Sequence, residues 1–401
     1  MTCRICSADV SVLLDLGTSP PANSLKKSPE QFQDSYPLVL EICDNCGNVQ
    51  LRDCLDEEAL YKDYFYVTPS STLLSRHYDF LQSFLFKNNY LTSHSFALEI
   101  GSNVGLFLDH IKPNVAKVVG IDPAQEISEL ANQKGIETVC DFFNEASSVK
   151  LKDQFGHPDI ILARHCFAHN CDPHRMLKGV THLLDDSGLF VIENAYLLNT
   201  IENNEFDQIY HEHMFYYSIR SMKALLAIHN MHLVDIIMSP IHGGSIVFVA
   251  KKVSAEDKIN SAVSKYTLQE DLLLTPSAFK HFVDNTWRIK DTLGRLIKGL
   301  RDGGWTIYTY GATAKGNTLL NFIGLTDKEI KYCVDSTPMK QGKYLPKSNV
   351  KVISEEESQE NPPDYFLLTA WNYRDEIVNK VRQAGNYTSQ FIVPIPFVHI
   401  L

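Results

Sequence analysis

No stretch of this sequence stays apolar for the ~18 to 20 residues that a membrane-spanning helix needs. Basic residues are in the minority: 37 Lys and Arg stand against 48 Asp and Glu, a formal net charge of -11. A general nucleic-acid binder needs a phosphate-neutralising surface, so this balance argues against that class while leaving room for a local basic patch. Residues Met1 to Val10 hold a cysteine pair where a secretory signal would place a basic region and an apolar run. The expectation is a cytoplasmic protein with no membrane and no nucleic-acid partner. The composition, 44% hydrophobic and 21% charged, excludes a largely disordered chain, and 401 residues call for two or three domains.

Nine cysteines are present, an odd number, and four of them form two Cys-x-x-Cys pairs, Cys3/Cys6 and Cys43/Cys46. Without an export signal this spacing fits a metal better than a disulfide framework. Two residues between cysteines let both thiolates of a turn face one ion, and two such knuckles complete a tetrahedral Zn2+ site. Redox Cys-x-x-Cys motifs follow a strand of an α/β unit and occur singly. Four cysteine ligands leave no open position, so the zinc is expected to be structural. Cys54, Cys140, Cys166, Cys171 and Cys333 are scattered and read as buried or half-buried thiols.

Next comes a polar, aromatic stretch with Tyr64 and Tyr66, a helix-like run from Leu73 to Phe86, and then Phe96-Ala97-Leu98-Glu99-Ile100-Gly101-Ser102-Asn103-Val104-Gly105. The apolar run is a buried parallel strand, and the two glycines sit at its turn into a helix. A second strand, Lys117 to Asp122, ends in an acid that can accept both ribose hydroxyls of an adenosine. Dinucleotide folds use G-x-G-x-x-G; this turn has only Glu-x-Gly-x-x-x-Gly, which favours S-adenosylmethionine over NAD. Glu99, Gly101, Asn103, Gly105 and Asp122 are the candidate cofactor residues. Asp141 and Phe142, on a third strand read as Glu137 to Phe143, are placed to meet an adenine edge and face. Strands at Asp159 to Ala163 and Gly188 to Glu193 continue the alternation and imply a doubly wound sheet, with ligands over the strand C-termini.

Two clusters follow those strands: Arg164 to Asn170, and Tyr210-His211-Glu212-His213. If the second is extended, His211 and His213 share one side and Tyr210 and Glu212 the other. Methyl transfer to oxygen or nitrogen needs at most one base. Transfer to carbon needs a base for a proton beside a carbonyl and donors for the enolate, and phenol plus imidazoles supply them.

On these residues the chain resembles the sugar C-methyltransferases, which methylate C3 of nucleotide-linked 4-keto-hexoses in deoxysugar pathways. The likeness rests on the four-cysteine head, Glu-Ile-Gly-Ser-Asn-x-Gly, Ala168-His169, Tyr210 to His213, His242-Gly243-Gly244-Ser245 and Tyr310 to Thr318. It implies that His213 is the base for the C3 proton, that Tyr210 and His169 support the enolate oxygen, and that Glu212 holds the sugar. It also implies an active-site tyrosine at either Tyr64 or Tyr66. Val104 and Lys347 depart from the pattern, where Asp and Gly are usual.

From about Val253 an amphipathic run, Leu268 to Leu300, leads to Gly303-Gly304 and a second series of strands, Trp305 to Tyr310, Lys331 to Asp335, Tyr365 to Thr369 and Phe391 to Pro394. Gly311 to Thr318 resembles a phosphate loop, but its lysine precedes the second glycine, which excludes ATP hydrolysis. A helix N-terminus with Lys315, Gly316 and Asn317 remains a seat for a diphosphate, and Trp371-Asn372 could stack on a nucleobase or bond to it. The expected architecture is α/β: a zinc ribbon-like module at 1–58, a doubly wound methyltransferase sheet at 59–252, and a smaller Rossmann-like nucleotide-sugar domain at 253–401. Competing readings are a same-fold enzyme that methylates another small-molecule carbon acid, amine or hydroxyl, and a zinc-ribbon nucleic-acid-binding protein.

Overall fold

The computed structural model describes residues 2–56, 60, 72–254 and 258–401. Three antiparallel strands come first, β1 (Ser11–Ser19), β2 (Tyr36–Ile42) and β3 (Val49–Leu51). One cysteine knuckle precedes β1 and the other forms the β2–β3 turn. Leu14, Leu16, Leu38, Leu40, Val49 and Leu51 are buried on one face. They share a single core with Ile289, Leu293 and Ile297 of the long helix Pro276–Asp302, so the head packs directly on the C-terminal third.

The central sheet contains β4 (Phe96–Ile100), β5 (Lys117–Asp122), β6 (Thr138–Cys140), β7 (Ile160–Arg164) and β8 (Leu189–Ala195), all parallel. Their near-continuous apolar sequences fit strands covered by helices on both faces. The two-residue β9 (Phe215–Tyr216) leaves this sheet and pairs with β3. Antiparallel β10 (Met231–Ser239) and β11 (Ser245–Lys252) complete the order β10-β11-β8-β7-β4-β5-β6. The chain winds outward from β4 in both directions, which puts a crevice beyond the C-terminal ends of β4 and β7.

The C-terminal sheet repeats that winding. β12 (Ile307–Tyr310), β13 (Tyr332–Val334), β14 (Lys351–Ile353), β15 (Tyr365–Leu368), β16 (Gln390–Val393) and the antiparallel β17 (His399–Ile400) lie in the order β14-β13-β12-β15-β16-β17. The repetition extends to single bonds. Asp122 accepts the amides of Asn103 and Ala124 at 2.9 and 3.0 Å, and Asp335 accepts those of Ala312 and Thr337 at 2.8 and 2.9 Å.

Two element readings need correction. The third strand is only Thr138–Cys140, because Asp141 turns the chain by accepting the amide of Phe142. The run from Leu268 to Leu300 is two helices, Ser261–Leu273 and Pro276–Asp302, since Thr275 caps the second and Pro276 opens it. Among the described residues, no helix is long and apolar enough to cross a membrane.

Candidate active site

The turn after β4 is built on left-handed backbone: φ is +64° at Gly101, +51° at Asn103 and +75° at Gly105. A Cβ on Gly101 would lie 2.7 Å from the Cys166 Cβ, and one on Gly105 2.8 Å from Ile136 Cγ2. Both positions therefore require glycine, the first for a close approach across the crevice and the second for helix packing. The crevice beyond is lined by Gly101 to Val104, Asp122 to Ala124, Asp141 to Asn144 and Arg164 to Cys166, with His169 at its end. Burial raises the Asp122 carboxyl above the usual carboxylate range, against the two amides that bond to it. Val104, where an acid is usual, is 2% exposed and packs on Ala124 and Ile127.

Glu99 does not line this crevice. It is 1% exposed and paired with Arg164, Nε to Oε1 at 2.7 Å. Burial pushes its carboxyl up, and the guanidinium opposes that shift. Arg164 in turn lies over the Phe107 ring, 4.2 Å from the centroid. Asp141, Phe142, Gly101, Asn103 and Asp122 do line it. The set suits S-adenosylmethionine: two acids, an aromatic ring and a glycine turn line one crevice.

Tyr210 to His213 is a turn, not an extended segment, because the His213 amide donates to the Tyr210 carbonyl at 2.9 Å. Positions one and four therefore meet. The Tyr210 and His213 rings are 4.0 Å apart, and Tyr210 OH is 2.7 Å from His213 Nε2. His211 points elsewhere, with Nε2 3.2 Å from the Pro37 carbonyl. His213 Nδ1 is 2.9 Å from the Gln208 carbonyl, which can only accept. The proton of a neutral His213 thus sits on Nδ1, and Nε2 carries the lone pair to which the Tyr210 hydroxyl donates. His169 stacks on His213 at 5.1 Å and links the turn to the crevice. Burial lowers His213 well below the ordinary histidine value, helped by the neighbouring His169. Burial also holds His169 down at about 4. Both rings are neutral near pH 7.

Several neighbours of this turn carried no sequence signal. The Glu212 carboxylate accepts both contacts from Asn23 Nδ2, at 2.8 and 2.9 Å. The indole of Trp371 donates to Asp207 Oδ2 at 2.6 Å, one residue before the carbonyl that holds His213. Lys315 Nζ lies 3.3 Å from Glu205 Oε2 and 4.9 Å from the Trp371 ring centroid. Gly316 and Asn317 are enclosed: the Gly316 amide caps on Thr313, and Asn317 Nδ2 donates to the Ala22 carbonyl. Lys315, Trp371 and Asn372 stay half-buried. Tyr64 and Tyr66 lie outside the described residues.

In the head, Cys3 and Cys46 sulfurs are 3.5 Å apart, as are those of Cys6 and Cys43, and all four lie within 4.8 Å of one another. Tetrahedral zinc–thiolate bonds of ~2.3 Å imply sulfur separations of roughly 3.8 Å, so the cluster fits a Zn2+ ion. Of the remaining thiols Cys54 and Cys140 are exposed, contrary to expectation: Cys54 lies on the connection after β3, and Cys140 ends β6, the edge strand of the central sheet.

Family models match most of the chain in three parts: "Putative zinc binding domain" over residues 3–61, "Methyltransferase domain" over 76–235, and "C-methyltransferase C-terminal domain" over 240–396. The chain is 33% identical over 399 residues to the C-methyltransferase NovU of Streptomyces niveus, covering 98% of this chain and 95% of NovU. Among solved structures, an S-adenosylmethionine-dependent methyltransferase from Clostridium acetobutylicum aligns at 15% identity over 45% of this chain and 92% of that one, with a TM-score of 0.35. The magnesium protoporphyrin IX methyltransferase of Synechocystis aligns at 12% identity over 47% and 91%, with a TM-score of 0.36.

Proposed function

From the premise that this chain belongs to the C-methyltransferase family and depends on S-adenosylmethionine, we propose that it methylates C3 of a nucleotide-linked 4-keto-hexose. The observation that carries this reading is the His213–Tyr210 pair, a histidine whose tautomer leaves Nε2 basic, with a phenol on that nitrogen and His169 stacked alongside.

When bound, S-adenosylmethionine supplies the methyl group as an electrophilic sulfonium methyl. The chain's own residues do the rest. Gly101, Asn103, Asp122, Asp141 and Phe142 hold the cofactor in the crevice. As the sugar enters, the Tyr210 hydroxyl turns from His213 Nε2 to the C4 carbonyl oxygen. His213 Nε2 then takes the C3 proton; the electron pair of that bond becomes the C3–C4 double bond, and the π pair of the carbonyl moves to the C4 oxygen. Tyr210 and the neutral His169 donate to the developing enolate, the kind of positioned stabilisation that lowers such barriers most. The lowered basicity of His213 keeps it unprotonated at neutral pH, so the lone pair is available before the substrate arrives. Glu212 holds a sugar hydroxyl. Lys315, Trp371 and Asn372, the half-buried members of the C-terminal set, face the diphosphate and base. In this scheme residues 1–58 form the head, 59–252 the methyl-transfer domain and 253–401 the nucleotide-sugar domain.

The test is hydrogen exchange in heavy water without S-adenosylmethionine, on a panel of nucleotide-linked 4-keto sugars. One of them should exchange its C3 proton, and His213→Ala should abolish the exchange while the cofactor still binds. No exchange with any donor of the panel overturns the reading.

A further inference from the structure

The loop after β1 belongs to the cysteine-bearing head by sequence but lies between the other two parts of the molecule. Asn317 Nδ2 donates to the Ala22 carbonyl at 2.7 Å, and Asn321 Nδ2 to Ser19 Oγ at 3.0 Å, both from the helix Ala314–Ile323. Lys347 Nζ donates to the Thr18 carbonyl at 2.6 Å. Lys347 has φ +60°, a backbone that glycine adopts without strain, so this ammonium contact offsets the cost of a side chain there. The loop is thus placed by its backbone carbonyls and by Ser19, and none of these anchors involves the side chain of Asn23.

From that clamp Asn23 extends its amide to both oxygens of Glu212, at 2.8 and 2.9 Å. An ionised carboxylate only accepts, so the NH2 end of the amide must face it. Glu212 is 4% exposed whereas Asn23 is exposed. A contact to both oxygens fixes the plane of a carboxylate. Glu212 also shares its four-residue turn with Tyr210 and His213.

We infer that Asn23 is a positioning residue for substrate binding: the N-terminal head reaches the active site through it and sets the orientation of Glu212 toward the sugar. The inference rests on Glu212 holding the sugar, as proposed above. Because Asn23 is exposed and not an anchor of its own loop, Asn23→Ala leaves the fold intact, with an unfolding midpoint like that of the wild type. A hydrogen bond to a charged group sets the scale, so KM for the nucleotide-sugar should rise about 10- to 100-fold. The affinity for S-adenosylmethionine and kcat should stay near wild-type values.

Two further variants separate positioning from a general structural role. In a Glu212→Ala background, Asn23→Ala should change the sugar KM less than about twofold, since the two residues act as one unit. Asn23→Asp places a second carboxylate against Glu212; such a pair ionises together only with difficulty, so the sugar KM should climb as pH rises and recover toward acid pH. The experiment is steady-state kinetics on the active sugar of the exchange panel, with cofactor affinity by calorimetry. An active wild type whose sugar KM is unmoved by Asn23→Ala, or moved equally in the Glu212→Ala background, overturns this inference alone. A wild type inactive on every sugar of the panel overturns the functional reading and this inference with it.

Discussion

Glu205 joins the central and C-terminal sheets and gives the molecule a calculable response to pH. It is 2% exposed, with Lys315 Nζ at 3.3 Å from Oε2 and Asn203 Nδ2 at 3.3 Å from Oε1. Burial raises its carboxyl to about 7, more than Lys315 can offset. Folding therefore takes up a proton between the ordinary value of 4.5 and 7. The stability linked to this group is fully present below 4.5 and is lost as pH climbs through 7. At 1.36 kcal/mol for each tenfold step, the loss between pH 5 and pH 8 is roughly 2.5 kcal/mol. Glu205→Gln keeps the shape and cannot titrate. Urea unfolding of both proteins, followed by tryptophan fluorescence, measures the difference; the three tryptophans, Trp287, Trp305 and Trp371, all lie in the C-terminal third. Other titrating groups cancel in the comparison. The variant should gain about 2 to 3 kcal/mol relative to wild type from pH 5 to pH 8. A flat difference, or one that grows the other way, refutes the reasoning.

Three other outcomes follow from the geometry. Glu270 accepts the amides of Ile219 and Arg220 and the hydroxyl of Tyr196 at 2.6 to 2.9 Å, so Glu270→Ala orphans three donors and should cost about 2 to 4 kcal/mol in urea unfolding; a change within 0.5 kcal/mol of zero would contradict that role. Gly101→Ala forces a Cβ to 2.7 Å from Cys166 on a backbone at φ +64° and should weaken cofactor binding at least tenfold by calorimetry, with retained affinity as the contrary result. Removing zinc with a strong chelator should open the segment from Cys3 to Leu51 to protease, at about one ion released per chain; unchanged protection would show that the four thiols do not hold the head together.

The parts of the site visible in the sequence are those in which backbone geometry demands a particular residue type. Gly101 and Gly105 require glycine by conformation or contact, and Asp122 and Asp335 close strands by holding turn amides, so each announces itself locally. Tyr210 to His213 was visible as chemistry but not as shape, because alternation assumes an extended chain and the bond from His213 to Tyr210 makes a turn. The break at Thr275-Pro276 was written in the sequence as a cap followed by proline, and the apolar periodicity on either side obscured it. Asn23, Glu205 and Asp207 could not be found this way: each acquires its role from a partner more than 100 residues distant. No spacing encodes such pairs; the packing of three parts against one another creates them.

The pairing of β3 with β9 has a consequence for how the chain is made. The last strand of the head sheet is supplied by Phe215 and Tyr216, directly after the turn that carries His213. During synthesis the edge of β3 therefore stays open while more than 150 residues emerge, and β4 to β8 all leave the ribosome before the head can be closed. Excising the head would expose β9, and expressing it alone would leave β3 unpaired, an edge on which other chains can add. The same two residues fasten the turn of Tyr210 to His213 to the head, so that turn acquires its final support only when the late seam closes.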